Sequence, residues 1–510
     1  MQNRQIQEVL ILGGGTAGWM SAALLARFLR PMDISVRLVE SEEIGSVGVG
    51  EGTVPIIRKF NGLLGIDEKD FLRATKGSLK LGIEFVNWGH IGNRFFHAFA
   101  DYGDPIEGIS AHHHWLKLRG LGDTTPVDDY SFSAVAISAQ RFAPPPKNIR
   151  PGLPAFDYAY HFDATLYARV LREYAENLGV VRREGKVEQV SRRADNGFIE
   201  SITLQSGERV EADLFIDCSG QRSLLLGDTL QNDFVSFRHW LPCDRAIAAP
   251  SSGNSADFAP ATRSTAHASG WQWRIPLQHR TGNGLVYSSQ FTSDADAETL
   301  FRSNLDSELL AEPKLLQFEP GHRKKFWDKN CVAIGLSAGF MEPLESTSIQ
   351  LIQTGLARLI EFYPDRNFDQ TITDEYNRVT KAEFERIRDF LILHYCIGSR
   401  DDSALWQSCR KMPLPDTLQY KIDLFRSCGR IPLSAEDSYR EPSWTALLLG
   451  LGVIPQRYDP IVDRIPTVAL QERMNARSRG FRKMAETLPT HKQFIEHHIS
   501  ETTTPLTAVK

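Results

Sequence analysis

"EVLILGGGTAGWMSAALLARFL", residues 8–29, sets a short apolar run against three glycines and then a stretch rich in Ala and Leu. Val9 to Leu12 reads as a buried strand and the Ala/Leu stretch as a helix, with the glycines in the turn between them. Gly13, Gly15 and Gly18 satisfy G-x-G-x-x-G. In that pattern the first two permit a tight turn and close approach of backbone to a pyrophosphate, and the third lets helix and strand pack closely. The pyrophosphate rests on the helix N-terminus, beside Thr16 and Ala17. A second strand, "ISVRLVE" (34–40), ends in Glu40, at the distance of roughly 20 residues where an acid binds the ribose hydroxyls of an adenosine. Strand, loop, helix, strand and acid in this order predict an α/β fold with a Rossmann-like dinucleotide-binding module.

The rest of the chain bounds what such a module serves. At 510 residues a large core is easily built, and length alone suggests two to four domains. Hydrophobic residues make up 42%, charged residues 24%, and the formal net charge is −5, which gives no reason to expect nucleic acid or an anionic membrane as partner. No apolar run approaches the roughly 18 residues that span a bilayer. The N-terminal "MQNRQIQEVLILGGG" lacks the layout of a signal peptide, because its apolar run leads straight into the glycine loop. Six scattered cysteines without a CxxC pair read as reduced thiols of a cytoplasmic protein.

A second segment decides between FAD and NAD. "VEADLFIDCSGQRS" (210–223) is a hydrophobic strand, Leu214 to Ile216, followed by Asp217, and it resembles the second FAD-contacting strand of the flavoprotein monooxygenases. Their third such element follows a late strand and reads G-D. Here that strand is "NCVAIG" (330–335) and Gly335 is followed by Leu336 where the hydroxylases carry the aspartate. The FAD scaffold is kept, and the departure falls on the flavin-proximal loop, "LSAGFMEPLEST" (336–347).

Four separated motifs, "GGGTAGW" (13–19), "GVGEGTVP" (48–55), "GWQWRIP" (270–276) and "EPLESTSI" (342–349), together resemble the flavin-dependent tryptophan halogenases. Further matches are "KLGIEFVNW" (80–88), "FFHAF" (95–99) and "RDFLILHY" (388–395). The resemblance implies an FAD-binding module of the flavoprotein monooxygenase type over residues 1–395, with a substrate-covering sheet, and a mainly helical module over 396–510. Gly50 of the second motif and Gly335 join the cofactor-binding residues it implies.

The chemistry of such an enzyme sets further demands. Reduced FAD and O2 give a peroxy-flavin whose distal oxygen a halide attacks, producing hypohalous acid. The halide needs an anion site, which backbone amides opening a helix provide; the resemblance assigns this to Thr347 and Ser348. Many relatives have glycine at the position of Ser348. Bromide is favoured over chloride, being less tightly hydrated and easier to oxidise. The oxidant then travels to a separate substrate site, where a lysine receives it. Spacing before "FVNW" selects Lys80, with Lys76 the fallback. Attack on an aromatic ring creates a cation that a carboxylate stabilises and deprotonates, and Glu345 is the candidate. His97 and Phe99, alternate residues of one strand, are expected to stack on the substrate. "HHHW" (112–115) invites a zinc reading, but three adjacent histidines cannot all face one metal from a regular element, and no metal site is expected.

The C-terminal region holds no Tyr-Tyr pair of the kind that clamps the amino-acid backbone in tryptophan-specific relatives. An indole or another electron-rich aromatic is therefore expected in place of free tryptophan, with Trp444 covering its ring. The resemblance further implies reduced FAD from a separate NAD(P)H-dependent flavin reductase, O2 and halide as co-substrates, and leaves a homodimer among the open assemblies. Two other readings fit parts of the pattern. An FAD aromatic hydroxylase would transfer the same oxygen as OH without halide, and a flavin-binding sensor would turn nothing over.

Overall fold

The computed structural model describes residues 5–43, 50–146, 153–253 and 258–500, so Gly48 and Val49 of the second motif lie outside the described residues. The strand Glu8–Leu12 pairs in parallel with Ser35–Glu40 on one side and Leu214–Asp217 on the other. The full six-stranded order is Trp327–Asp328, Cys331–Ala333, Leu214–Asp217, Glu8–Leu12, Ser35–Glu40, Val181–Glu184. Only the edge pair Trp327–Asp328 with Cys331–Ala333 is antiparallel. Val9, Leu10, Ile11 and Leu214 to Ile216 are fully buried, as strands of a parallel sheet covered on both faces must be.

The glycine turn follows from close approach. Gly13 has φ +113°, and a Cβ there would come within 2.2 Å of the Cys218 carbonyl oxygen. A Cβ on Gly18 would come within 1.8 Å of the Gly13 oxygen, so the helix Thr16–Leu29 sits on its strand only because both side chains are missing. That helix packs against the helices Ala164–Asn177 and Ser348–Glu361.

A second, seven-stranded sheet runs Lys314–Gln317, Arg245–Ser251, Thr281–Tyr287, Gly270–Pro276, Thr262–Ala266, Gly82–Val86, Arg94–Ala98. Its one parallel pair joins Thr262–Ala266 to Gly82–Val86. Trp273 spreads its ring over Gly284 of the neighbouring strand, where a Cβ would stand 2.0 Å from the indole. A three-stranded sheet of Gly50–Gly52, Ala159–Asp163 and Ser78–Lys80 carries two of the motifs.

The 27-residue helix Gln370–Cys396 leads into helices Ala404–Lys411, Asp416–Cys428, Glu441–Gly450, Thr467–Thr487 and His491–Ser500. Glu441–Gly450 packs on the strand Arg94–Ala98. One buried cluster extends from Ile6 to Ile495, so residues on both sides of position 396 share a core. Among the described residues, no helix is long and apolar enough to cross a membrane. All six cysteines are free thiols.

Candidate active site

Around the first glycine turn the structure leaves a cradle. Nothing lies within 4 Å of where a Gly15 Cβ would be, so the backbone opening the helix Thr16–Leu29 faces free space. Glu40 leans over the same turn: a Cβ on Gly14 would meet its Oε2, and its Oε1 accepts from Arg182. On the far side Gly335, at φ +75°, abuts Ala17, where an added Cβ would approach the Ala17 methyl to 2.7 Å. Leu336, next in the chain, is an apolar residue left 41% exposed. Helix amides for a pyrophosphate, an acid for a ribose and an exposed apolar residue suit FAD in this position.

Two of the expected cofactor residues are engaged elsewhere. The buried Asp217 carboxylate accepts from Ser219 N at 3.0 Å, Ser219 Oγ at 2.6 Å, Leu225 N at 2.9 Å and Leu226 N at 2.8 Å. Its side chain organises the following turn, and contact with a cofactor from this segment is left to backbone. Gly50 is buried against Gly282, with a virtual Cβ 3.5 Å from its Cα, which makes it a strand-crossing position.

The second cluster gathers around Glu345. This residue ends a short 3-10 turn, Pro343–Glu345, and Ser346 after it has φ +59°, rare for a residue other than glycine. The left-handed residue redirects the chain into the helix Ser348–Glu361. Among the described residues, the amides of Thr347 and Ser348 have no acceptor, and the buried Thr347 hydroxyl has no partner. Ser348 is helical with negative φ, so glycine's freedom is not needed at that position.

Lys80 is fully buried and its Nζ donates to Ser346 Oγ at 2.8 Å, while Lys76 is exposed. The ammonium lies 5.4 Å from the centre of the Phe99 ring. Room for it depends on Gly52, where a Cβ would stand 2.9 Å from Ser346 Oγ and 3.4 Å from Lys80 Nζ. Burial lowers the ammonium to about 7, against the opposing pull of Glu345.

Glu345 is buried with a histidine nitrogen against each oxygen. His97 Nδ1 lies 2.7 Å from Oε2 and His394 Nε2 lies 2.9 Å from Oε1. Burial alone would raise this carboxyl, but its interactions with His97 and His394 outweigh it and hold the group at about 2. The His97 and Phe99 rings meet edge to face at 6.3 Å, and His97 also borders Phe390 at 5.6 Å and Tyr439 at 6.0 Å. Trp444 stands edge-on to Phe390 at 4.9 Å. Its Nε1 and the Tyr439 hydroxyl are buried without partners.

Ser346, His394, Tyr439 and Gly52 do not stand out in the sequence, although His394 lies inside "RDFLILHY" and Gly52 inside "GVGEGTVP". Neither does Glu342; its Oε2 accepts from Trp271 Nε1 at 3.1 Å and Tyr395 hydroxyl at 2.8 Å, and burial pushes the carboxyl up to about 7. It fixes the indole of Trp271 from behind. The three adjacent histidines bond three separate backbone groups: His112 the Gly429 oxygen, His113 the Asp459 amide, His114 the Ser110 oxygen. The first two hold distant segments to the helix Ala111–Gly120, and the third bonds within its own first turn.

A flavin cradle, together with a separate cluster of a buried lysine, a buried carboxylate and open helix amides, defines a flavin-dependent oxidoreductase with a second reactive cluster. Comparison with known proteins gives the class its name: residues 8–467 match the tryptophan halogenase family. The chain is 33% identical to tryptophan 7-halogenase RebH of Lentzea aerocolonigenes, covering 96% of this chain and 98% of that one. Tryptophan 6-halogenase SttH of Streptomyces toxytricini is 32% identical over 97% of this chain and 99% of its own. Among solved structures, BrvH, a flavin-dependent halogenase from Brevundimonas sp. BAL3, superposes with a TM-score of 0.94 at 43% identity, covering 97% of this chain and all of that one. Xcc4156, a flavin-dependent halogenase from Xanthomonas campestris, gives 0.94 at 39%, over 98% and 100%. The chain belongs to the tryptophan halogenase family and is a flavin-dependent halogenase; the aromatic hydroxylase reading is not favoured.

Proposed function

We propose that this halogenase converts bromide or chloride to hypohalous acid and delivers the halogen through Lys80 to an electron-rich aromatic, an indole in preference to free tryptophan. One observation carries the reading. The buried Lys80 ammonium is bonded to Ser346 Oγ and lies against the Phe99 ring, so it adjoins both the helix mouth and the aromatic chamber.

When bound, reduced FAD with O2 supplies the oxidising chemistry, its electrons coming from a separate NAD(P)H-dependent flavin reductase. The open amides of Thr347 and Ser348 hold the halide at the start of their helix. Lys80 hydrogen-bonds the hypohalous acid and gives a proton to the departing oxygen as the ring attacks the halogen. His97, Phe99 and Trp444 wall the ring, Glu345 supplies the negative charge that stabilises the cationic intermediate, and the Glu345–His97 pair removes its proton. Five aromatic rings and no paired tyrosines line this region, which suits a bare indole better than an amino-acid backbone. A cytoplasmic setting accords with six unpaired cysteines.

The test combines the purified chain with FAD, NADH, a flavin reductase, bromide and indole, and reads products by mass spectrometry. Bromoindole that requires both halide and reductase is the expected result. Hydroxylated indole formed without halide would favour the hydroxylase, and preferential benzo-ring halogenation of tryptophan would overturn the indole assignment.

A further inference from the structure

Removing the ring proton needs a base whose lone pair faces the substrate, and the Glu345 carboxylate is fully buried with a histidine nitrogen against each oxygen. Its Oε1 is committed to His394. The His394 Nδ1 lies 2.9 Å from the Phe390 carbonyl oxygen, which can only accept, so Nδ1 carries a hydrogen. His394 Nε2 and Glu345 Oε1 then stand 2.9 Å apart, within hydrogen-bond distance. The remaining oxygen, Oε2, meets His97 Nδ1 at 2.7 Å. An arene proton would have to reach a carboxylate that is fully buried and already holds a histidine on each oxygen.

His97 is placed differently. With Nδ1–H donated to Oε2, its Nε2 keeps the lone pair. Among the described residues that nitrogen has no hydrogen-bond partner, and although the residue is only 3% exposed, the atom itself is not completely occluded. The ring carrying it is bordered by Phe99, Phe390 and Tyr439, the same rings assigned above to the substrate chamber. Carboxylate, Nδ1–H and bare Nε2 in line form the orienter-and-base pair known from serine hydrolases, where the carboxylate fixes the tautomer and stabilises the imidazolium.

We propose that His97 Nε2 is the general base that deprotonates the halogenated ring, with Glu345 and His394 as positioning residues behind it. The inference rests on the aromatic-substrate reading of this chamber. A ring π pair forms the carbon–halogen bond as the halogen–oxygen bond of hypohalous acid breaks, and the departing hydroxide takes a proton from Lys80 to become water. The carbon–hydrogen pair then returns to the ring and its proton passes to His97 Nε2. Return of that proton to Lys80 closes the cycle, so arene and hypohalous acid give haloarene and water.

Two variants separate this role from the alternatives. His97→Phe keeps a flat wall but no base. His97→Asn can keep an amide N–H on Glu345 but loses both wall and base. Each is assayed with indole and with indole deuterated at the halogenated carbon, after fluorescence titration shows that FAD still binds. Product formation should fall about 100-fold or more in both variants, the scale of a lost general base. The isotope effect should rise from near unity in the parent to a clear primary effect in both, because proton loss becomes rate-limiting. Retained turnover in His97→Phe would reduce His97 to a stacking wall, and retained turnover in His97→Asn would reduce it to a partner of Glu345. Loss of rate with the isotope effect still at unity overturns the base assignment as well. If the parent enzyme yields no haloindole, the aromatic-substrate reading fails first and this inference falls with it.

Discussion

Lys80 holds an ammonium where water does not reach, and the cost of that sets its protonation. The group titrates at 10.5 when exposed and at about 7 in the fold. Between those values the unfolded chain binds more protons than the folded one, so stability rises with pH from about 7 to 10.5, and the full penalty is present below 7. Lys80→Met is therefore expected to abolish haloindole formation while raising stability at pH 6 by a few kcal/mol, on the order of 1.4 kcal/mol for each tenfold loss of proton affinity, less the lost bond to Ser346. The gain should be mostly gone by pH 10, and thermal melts at pH 6, 8 and 10 measure it. A variant less stable than the parent at pH 6 would show that the ammonium is net stabilising. Lys80 and Glu345 could be read from the motif register, because each sits at a fixed offset from unusual neighbours. Ser346 could not, since a hydroxyl beside a helix start reads as a cap and its left-handed backbone is imposed by the turn it closes. His394 reads as one more member of an apolar helix face, with Phe390, Leu391 and Leu393 around it. Its partner lies 49 residues away, on a turn whose position no periodicity specifies.

The glycine loop tests which features of an element belong to the fold and which to the cofactor. All three glycines look alike in G-x-G-x-x-G, but their surroundings differ. Gly18 has a carbonyl oxygen 1.8 Å from its virtual Cβ, and Gly15 has open space. Gly18→Ala must push the helix Thr16–Leu29 off its strand, which lowers stability by about 1–3 kcal/mol and weakens FAD together with it. Gly15→Ala leaves the FAD-free protein's melting temperature within about 1 °C of the parent, since surface changes away from packed groups stay within roughly 0.5 kcal/mol. It should still weaken FAD binding at least tenfold, because the methyl enters the space a pyrophosphate would fill. Fluorescence titration and melting of both variants settle the matter. Equal FAD affinity in Gly15→Ala and the parent would move the pyrophosphate elsewhere. Elements with a strict period were readable here. The strand Gly270–Pro276 shows Trp271 and Trp273 on one face, as alternation requires. What was not readable is their support, because Gly284 under Trp273 and Glu342 behind Trp271 come from other segments.

Helical patterning after residue 396 foretold the C-terminal helices but not where the last one returns. His491, first residue of the helix His491–Ser500, is fully buried beside the strand that carries Lys80. Its Nε2 accepts the Leu79 amide at 3.0 Å across 412 residues of sequence, and its Nδ1 lies 3.0 Å from the Phe258 carbonyl oxygen. A carbonyl can only accept, so Nδ1 carries the hydrogen and Nε2 is bare, the one tautomer that satisfies both bonds. Burial lowers the ring to about 4. Protonation would set an Nε2 hydrogen against the Leu79 N–H, so stability from this group is complete above pH 6.5 and is lost as pH falls through 4. The end of the chain thus latches the residue next to Lys80, coupling the whole fold to the position of one ammonium. His491→Ala strands a buried amide at a cost of about 1–3 kcal/mol and should lower the melting temperature accordingly. Because the cradle for FAD lies on the six-stranded sheet and Lys80 on the three-stranded one, the variant should also lose haloindole per O2 consumed more than it loses O2 consumption itself. His491→Gln offers an amide oxygen to Leu79 and is expected to recover most of both losses. Parallel loss of O2 consumption and haloindole, with no recovery in His491→Gln, would mean that the last helix supports the fold as a whole and does not position Lys80.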